Sequence, residues 1–332
     1  MKDDVVALAA ELVGISSLTG NEGPIVELVS RRLIKDGWNV TLQEVSPGRA
    51  NVWASRSGGG VCLSTHLDTV PPYLPPRKEK GKLFGRGSSD AKGIAAAMLV
   101  AADRLVKSGE DRVDLLFVVG EEKGSDGARA ANNLSPNTKF LINGEPTESR
   151  LASGAKGSLR ATLRTRGRAA HSAYPHLGQS AIEPLLELLP TLRSVNWPTD
   201  DKLGDTTVNI GVIHGGSEAN IIPEHAEAEL MFRLVSDVEE VKAKLVEWVG
   251  GRAEIEYGSF IPPQYFHTVE GFETGPVAYT SDIPLLSAWG TPLLFGPGSI
   301  HVAHTPDEFV PVDELRASVD TYERLARSLL AQ

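Results

Sequence analysis

Apolar residues recur at helical spacing from Lys2 to Val13 and from Gly23 to Lys35, which predicts two amphipathic helices. A turn-rich segment (Ser16, Ser17, Thr19, Gly20, Asn21) joins them. From there to Asn143, short apolar runs alternate with longer helical stretches. The runs are Val61–Ser64, Val113–Val119 and Phe140–Ile142, and a stretch rich in Ala, Met and Leu opens near Lys92. Strands alternating with helices of this length predict an α/β domain with a mostly parallel central sheet.

The pattern changes after Lys156. Leu159, Ala161 and Leu163 alternate with Arg160, Thr162 and Arg164, which marks a half-exposed strand. A helix is expected from about Gln179 to Arg193 and a strand from Thr206 to Ile213. A clean alternation follows, with Ala226, Ala228, Leu230, Phe232 and Leu234 on one face. Val238–Val249 reads as a helix and Arg252–Tyr257 as a last strand. That order, β-α-β-β-α-β, is the ferredoxin-like arrangement, and it predicts a compact domain inserted into the first. The expected division is 1–156 with 263–332 for the outer domain and 157–262 for the insert. The outer domain closes with a helix over Val312–Leu330, where Leu315, Val319, Tyr322, Leu325 and Leu329 keep helical spacing.

The 332 residues allow two domains, and 41% apolar with 23% charged residues fits an ordinary globular enzyme. A net charge of −10 argues against a nucleic-acid partner, which needs clustered Lys and Arg. The lone cysteine, Cys62, sits in an apolar run and reads as a buried structural thiol. No apolar stretch approaches the roughly 20 residues that span a bilayer, and Asp3 and Asp4 stand where a signal peptide carries basic residues. A cytoplasmic enzyme without a membrane partner is the expectation.

Acidic and histidine clusters stand just past the strand ends, where open α/β sheets bind ligands. His66 and Asp68 lie two apart, on one side of an extended chain. Asp90 ends a glycine-flanked loop, Gly85 to Ser89, at the start of a helix, and a plain N-cap is its alternative role. Glu121 and Glu122 follow one strand and Glu145 another, while His301 and His304 lie in a loop before the last helix. Adjacent carboxylates repel unless a cation or proton lies between them. Nitrogen and oxygen donors without a thiolate suit zinc, cobalt or manganese. A carboxylate such as Asp90 can bridge two ions, which leaves one of the Glu121–Glu122 pair free as a general base.

In this order, His66-Leu67-Asp68-Thr69-Val70, Gly85-Arg86-Gly87-Ser88-Ser89-Asp90-Ala91-Lys92-Gly93, Glu121-Glu122 and Gly144-Glu145-Pro146 resemble a known family. It is the acetylornithine deacetylase and succinyl-diaminopimelate desuccinylase family, which also holds aminoacylases, carboxypeptidases and dipeptidases. The resemblance covers nearly the whole chain and implies a zinc-peptidase-like catalytic domain with a lid. It implies two Zn2+ ions, replaceable by Co2+ or Mn2+. His66 and Glu145 would hold one, Glu122 and His304 the other, and Asp90 both. Asp68 would orient His66, and Glu121 would take a proton from the attacking water. The Asp90–Ala91 peptide would be cis. In the lid, His171 within Ala170-His171-Ser172-Ala173-Tyr174-Pro175-His176 matches the histidine that stabilises the oxyanion, supplied by the partner subunit in dimeric members. Asn220 and Arg233 match positions that bind the substrate carboxylate. Gly298, in Gly296-Pro297-Gly298-Ser299 before His304-Thr305-Pro306-Asp307-Glu308, points to the acetylornithine and acetyl-lysine deacetylase branch and to substrate binding. The plain alternatives are an exposed loop residue for His171 and a local ion pair for Arg233.

The leading expectation is therefore a homodimeric hydrolase of N-acyl amino acids. A dipeptidase or carboxypeptidase using the same ions is the alternative within the enzyme class. A non-catalytic binding subunit is the alternative outside it, and it is disfavoured because every ligand and the base are present.

Overall fold

The three apolar runs form neighbouring parallel strands, Val61–His66, Val113–Val118 and Phe140–Asn143. The computed structural model describes residues 4–134 and 136–332. These divide into two compact units, one within Met1–Ser153, Phe266–Gly275 and Ser281–Gln332, the other formed by Gly154–Tyr265 with Pro276–Thr280. In the first unit a six-stranded sheet runs in the order Asn39–Ser46, Arg49–Ser55, Val113–Val118, Val61–His66, Phe140–Asn143, Thr291–Leu294. The last four strands are parallel, and the first two form an antiparallel hairpin that extends one edge. The helix Lys92–Lys107 is buried nearly all round and packs with Val5–Val13 and Val312–Leu330 in one apolar cluster. Its Ala-rich sequence permits that close approach. The first helix starts at Val5, where the Asp4 carboxylate accepts the Val6 and Ala7 amides. The part of that helix expected from Lys2 falls outside the described residues. Among the described residues, no helix is long and apolar enough to cross a membrane.

The second unit is an antiparallel sheet in the order Thr207–Gly215, His225–Leu234, Gly157–Arg166, Glu254–Ile261, with helices at Ile182–Leu188 and Val238–Val249. This is the ferredoxin-like strand order. The inward side chains Leu159, Ala161, Leu163, Ala228, Leu230 and Phe232 pack on Leu185, Leu188, Val241 and Leu245. The helix expected to reach Arg193 stops being α-helical at Leu188 and continues to Ser194 as a 3-10 turn. Pro190 explains the change, since it has no amide proton and crowds the preceding turn.

One buried carboxylate in the central sheet works against the fold at neutral pH. Asp114 is 1% exposed; Oδ2 accepts from Trp53 Nε1 at 3.3 Å, and Oδ1 has no partner among the described residues. Burial raises its pKa to about 6, and the Trp53 contact offsets only part of that. A raised acid holds its proton in the folded chain while the unfolded chain has released it. Its contribution is therefore most favourable below the unfolded value and is lost as pH rises through about 6. Asp114→Asn is expected to gain about 3 kcal/mol at most at pH 7.5, a gain that vanishes near pH 4. Urea midpoints of both proteins at the two pH values check this; an equal difference at both would rule it out.

Candidate metal centre

Parallel strands with matched registers bring their carboxyl ends to one line. His66 sits opposite Val118, and Ser64 opposite Asn143, so Asp68, Glu121, Glu122 and Glu145 emerge together. Gly144 lets the helix Lys92–Lys107 pack closely there, because a Cβ would meet the Ile94 and Met98 side chains at 2.5 Å. His66 Nδ1 lies 3.0 Å from the Asp68 main-chain oxygen, which assigns the proton to Nδ1. Its Nε2 then faces Asp90 Oδ1 at 2.9 Å, lone pair against lone pair unless a proton or cation lies between. The other oxygen of Asp90 lies 3.3 Å from His304 Nε2, so one carboxylate spans both histidines. Glu122 Oε2 completes the row, 3.0 Å from His304 Nε2. Ligand atoms of His66, Asp90 and Glu122 all lie within 4.8 Å of one another. Asp90 does not cap the helix that follows, which removes its plain alternative role. The Asp90–Ala91 peptide is cis.

Asp68 does more than face the imidazole. Its oxygens accept from Thr19 Oγ1 at 2.7 Å and from the amides of Glu121 and Glu122 at 3.0 and 3.2 Å. It therefore clamps the backbone that presents both glutamates. Burial alone would raise its pKa, but His66, Thr19 and the Glu121 amide together hold it below the usual range.

Glu145 is buried, and burial followed by the charge of Glu121 pushes its pKa well up. Burial also drives Glu121 well up, with Asp282, Asp90 and Glu122 adding to it and His66 opposing. Asp90 goes the other way. Burial would raise it, yet hydrogen bonds to His304 and His66 outweigh that. The same contacts lift His304 to about 10, through Asp90 first and Glu122 next. Asp68, Asp90, Glu121, Glu122, Glu145 and Asp282 thus crowd around two histidines. Such a set is tolerable only with protons or cations among it. Oxygen and imidazole donors with no thiolate fit divalent zinc-like ions.

Sequence reasoning missed Thr19, Asp282, Arg86 and Glu308. Asp282 is 1% exposed, with neither oxygen hydrogen-bonded in normal geometry among the described residues, and burial raises its pKa to about 6. Arg86 and Glu308 are buried together, 2.5 Å apart. Glu308 stood within the quoted His304–Glu308 segment, where a second acid beside Asp307 was the only signal.

In the second unit, His171 and Asn220 lie together. The short strand Ala170–His171 pairs with Ile221–Ile222, and the Ser172 amide donates to the Asn220 main-chain oxygen. Arg233 is half-buried beside Arg160, and among the described residues no carboxylate forms an ion pair with it. Gly298 has φ +83, and a Cβ there would meet Ser89 Oγ at 2.5 Å. Its amide donates to Glu314 and its carbonyl accepts from Glu148, so both backbone groups are engaged.

A sequence model described as the peptidase dimerisation domain matches residues 153–255, and one described as peptidase family M28 matches residues 51–181. A peptidase M20 domain-containing protein of Schizosaccharomyces pombe is 39% identical over 97% of this chain and 84% of its own length. The chain belongs to the M20 peptidase family. Relatives named "probable carboxypeptidase" in Paracoccidioides brasiliensis and Aspergillus terreus are 34% and 35% identical. They align over 97% and 96% of this chain and 84% and 85% of theirs. A tripeptidase of Staphylococcus aureus superposes with a TM-score of 0.82 at 22% identity, covering 100% of this chain and 99% of the other. An M20 family metallo-carboxypeptidase of Sulfolobus solfataricus gives 0.76 at 18% identity, covering 99% and 100%. These two share the fold of an M20 peptidase, a catalytic unit carrying an inserted one. The M20 chain described here is thus a hydrolase with a candidate centre for metal ions.

Proposed function

We propose that this M20 peptidase hydrolyses the amide that joins an acyl group to an amino acid with a free α-carboxylate. With a small acyl group the substrate is an N-acyl amino acid, of the acetylornithine or acetyl-lysine kind that the sequence motifs resemble. With a peptidyl group it is a C-terminal peptide bond, and relatives named carboxypeptidase favour that reading. The observation that carries the proposal is the Asp90 carboxylate spanning His66 and His304 among five further acids.

His66 and Glu145 would hold one zinc ion, Glu122 and His304 a second, and Asp90 both. A bound pair would supply Lewis acidity to the amide carbonyl and to the attacking water. Asp68 keeps the His66 proton on Nδ1 and fixes the two glutamates. Glu121 accepts the proton of the attacking water and passes it to the leaving amine. Arg233, which has no carboxylate partner among the described residues, and Asn220 would receive the substrate carboxylate. The match to a dimerisation domain supports pairing of two chains through the inserted unit.

Equilibrium dialysis of the apo-protein against Zn2+ is expected to saturate at two ions per chain. Saturation at one would remove the two-ion form of the proposal. Activity against acetylornithine, acetyl-lysine, succinyl-diaminopimelate and dipeptides would separate the substrate readings. In either case, the C-terminally amidated counterparts should lose most of their kcat/KM.

A further inference from the structure

Glu308 is buried between the two loops that present Asp90 and His304, four residues beyond the histidine. Its Oε1 accepts three main-chain amides of the Asp90 loop: Gly87 at 2.9 Å, Ser89 at 3.1 Å and Asp90 itself at 3.1 Å. Its Oε2 accepts from Arg86 Nη1 at 2.5 Å. The Glu308 carbonyl takes the Gly85 amide at 3.0 Å, and Phe309–Pro311 continues as a strand beside Lys82–Phe84. The far side of the loop is held as well, since Arg86 also donates to the Pro72 carbonyl.

We propose that Glu308 is the positioning residue of this centre, pinning the Asp90 loop to the His304 loop and so setting the spacing of the two ion positions. Both its oxygens are already used, so it holds no ion itself. Its work is to fix a loop. Asp90 is the carboxylate that spans His66 and His304, so any drift of its loop changes the spacing of the whole donor set. Three amides and a guanidinium on one buried carboxylate hold the loop with charge-assisted bonds. Arg86 neutralises the added negative charge, so the staple does not add to the acidity of the centre. On the other side, His304 has φ +62, a conformation rarely taken by residues with a side chain. The anchored Glu308 is close enough along the chain to hold it there. This inference rests on the two-ion reading given above.

The test is Zn2+ binding by apo-protein, followed by equilibrium dialysis for wild type, Glu308→Ala and Glu308→Gln. Urea unfolding of each apo-protein and the visible spectrum of each Co2+-loaded protein accompany it. Loss of an outer partner of a metal ligand typically costs about 10–100-fold in metal affinity. Glu308→Ala is expected to fall in that range and to shift the Co2+ bands. Glu308→Gln keeps the shape but not the charge, and is expected to lie between Glu308→Ala and wild type. Wild-type zinc affinity and an unchanged Co2+ spectrum, alongside weaker apo stability, would mean that Glu308 is only structural, and would overturn the proposal. Should Glu308→Ala not fold, Glu308→Gln decides: a several-fold loss supports the staple, and wild-type affinity overturns it. Fewer than two ions in wild type would sink the two-ion reading itself, and the staple with it, before any variant is compared.

Discussion

Glu121→Gln is expected to bind metal as wild type does and to turn over about 10²–10⁴-fold more slowly, the usual cost of a lost general base. The expectation rests on what holds Glu121 and what surrounds it. Its amide donates to Asp68, so its backbone is fixed by the residue that also faces His66. The substitution leaves that amide in place and removes only the group that takes a proton. Burial, Asp282, Asp90 and Glu122 make the carboxylate a stronger base than a surface glutamate, while bound cations pull the other way. The loss should fall on kcat, with KM little changed, because the side chain acts in the transition state rather than in holding substrate. Zinc stoichiometry measured on the same preparation separates a lost base from a lost ion. A kcat within a few-fold of wild type would remove Glu121 from the mechanism.

The ligand loops were legible because of how parallel sheets are built. Continuous apolar runs identified Val61–His66, Val113–Val118 and Phe140–Asn143, and strands of one direction deliver the residues that follow them to one edge. His66 and Glu122 could therefore be grouped from the strands alone, Asp90 joined them through its loop motif and the family resemblance, and the three converge. The alternation of Ala226 to Leu234 likewise exposed the inserted sheet, since one face is buried and the other wet. Where one face is not buried the signal fails. The edge strand Asn39–Ser46 is largely exposed and carries no clear period, so the hairpin it forms was not foreseen. Glu308 was missed for another reason. Its contact with Arg86 joins residues 222 positions apart through two loops, and neither loop has a period or a motif that names the other. Asp282 gave no local signal at all. Its burial follows from the tertiary packing of its short 3-10 turn.

His171→Ala is expected to lose about 10²–10³-fold in kcat, the typical cost of one oxyanion donor. The local geometry suits that role. His171 Nδ1 accepts the Ala173 amide at 3.1 Å, which leaves the proton of a neutral ring on Nε2. The exposed ring therefore presents an N–H donor that its own loop does not use. Which centre it serves is decided by mixing. Glu121→Gln and His171→Ala proteins, each inactive alone, are combined under conditions where subunits exchange. In a two-fold dimer whose lid histidine acts across the interface, a mixed pair holds one site with both intact groups and one with neither. Random exchange would then restore about a quarter of wild-type activity, since half the dimers are mixed and each has one working site. If His171 acts within its own chain, every site in the mixture lacks one group and nothing is restored. No recovery with exchange confirmed, by a tag on one variant, would therefore confine His171 to its own subunit or remove it from catalysis. Recovery would place the histidine of one chain at the ions of the other, and would make the dimer a condition of activity.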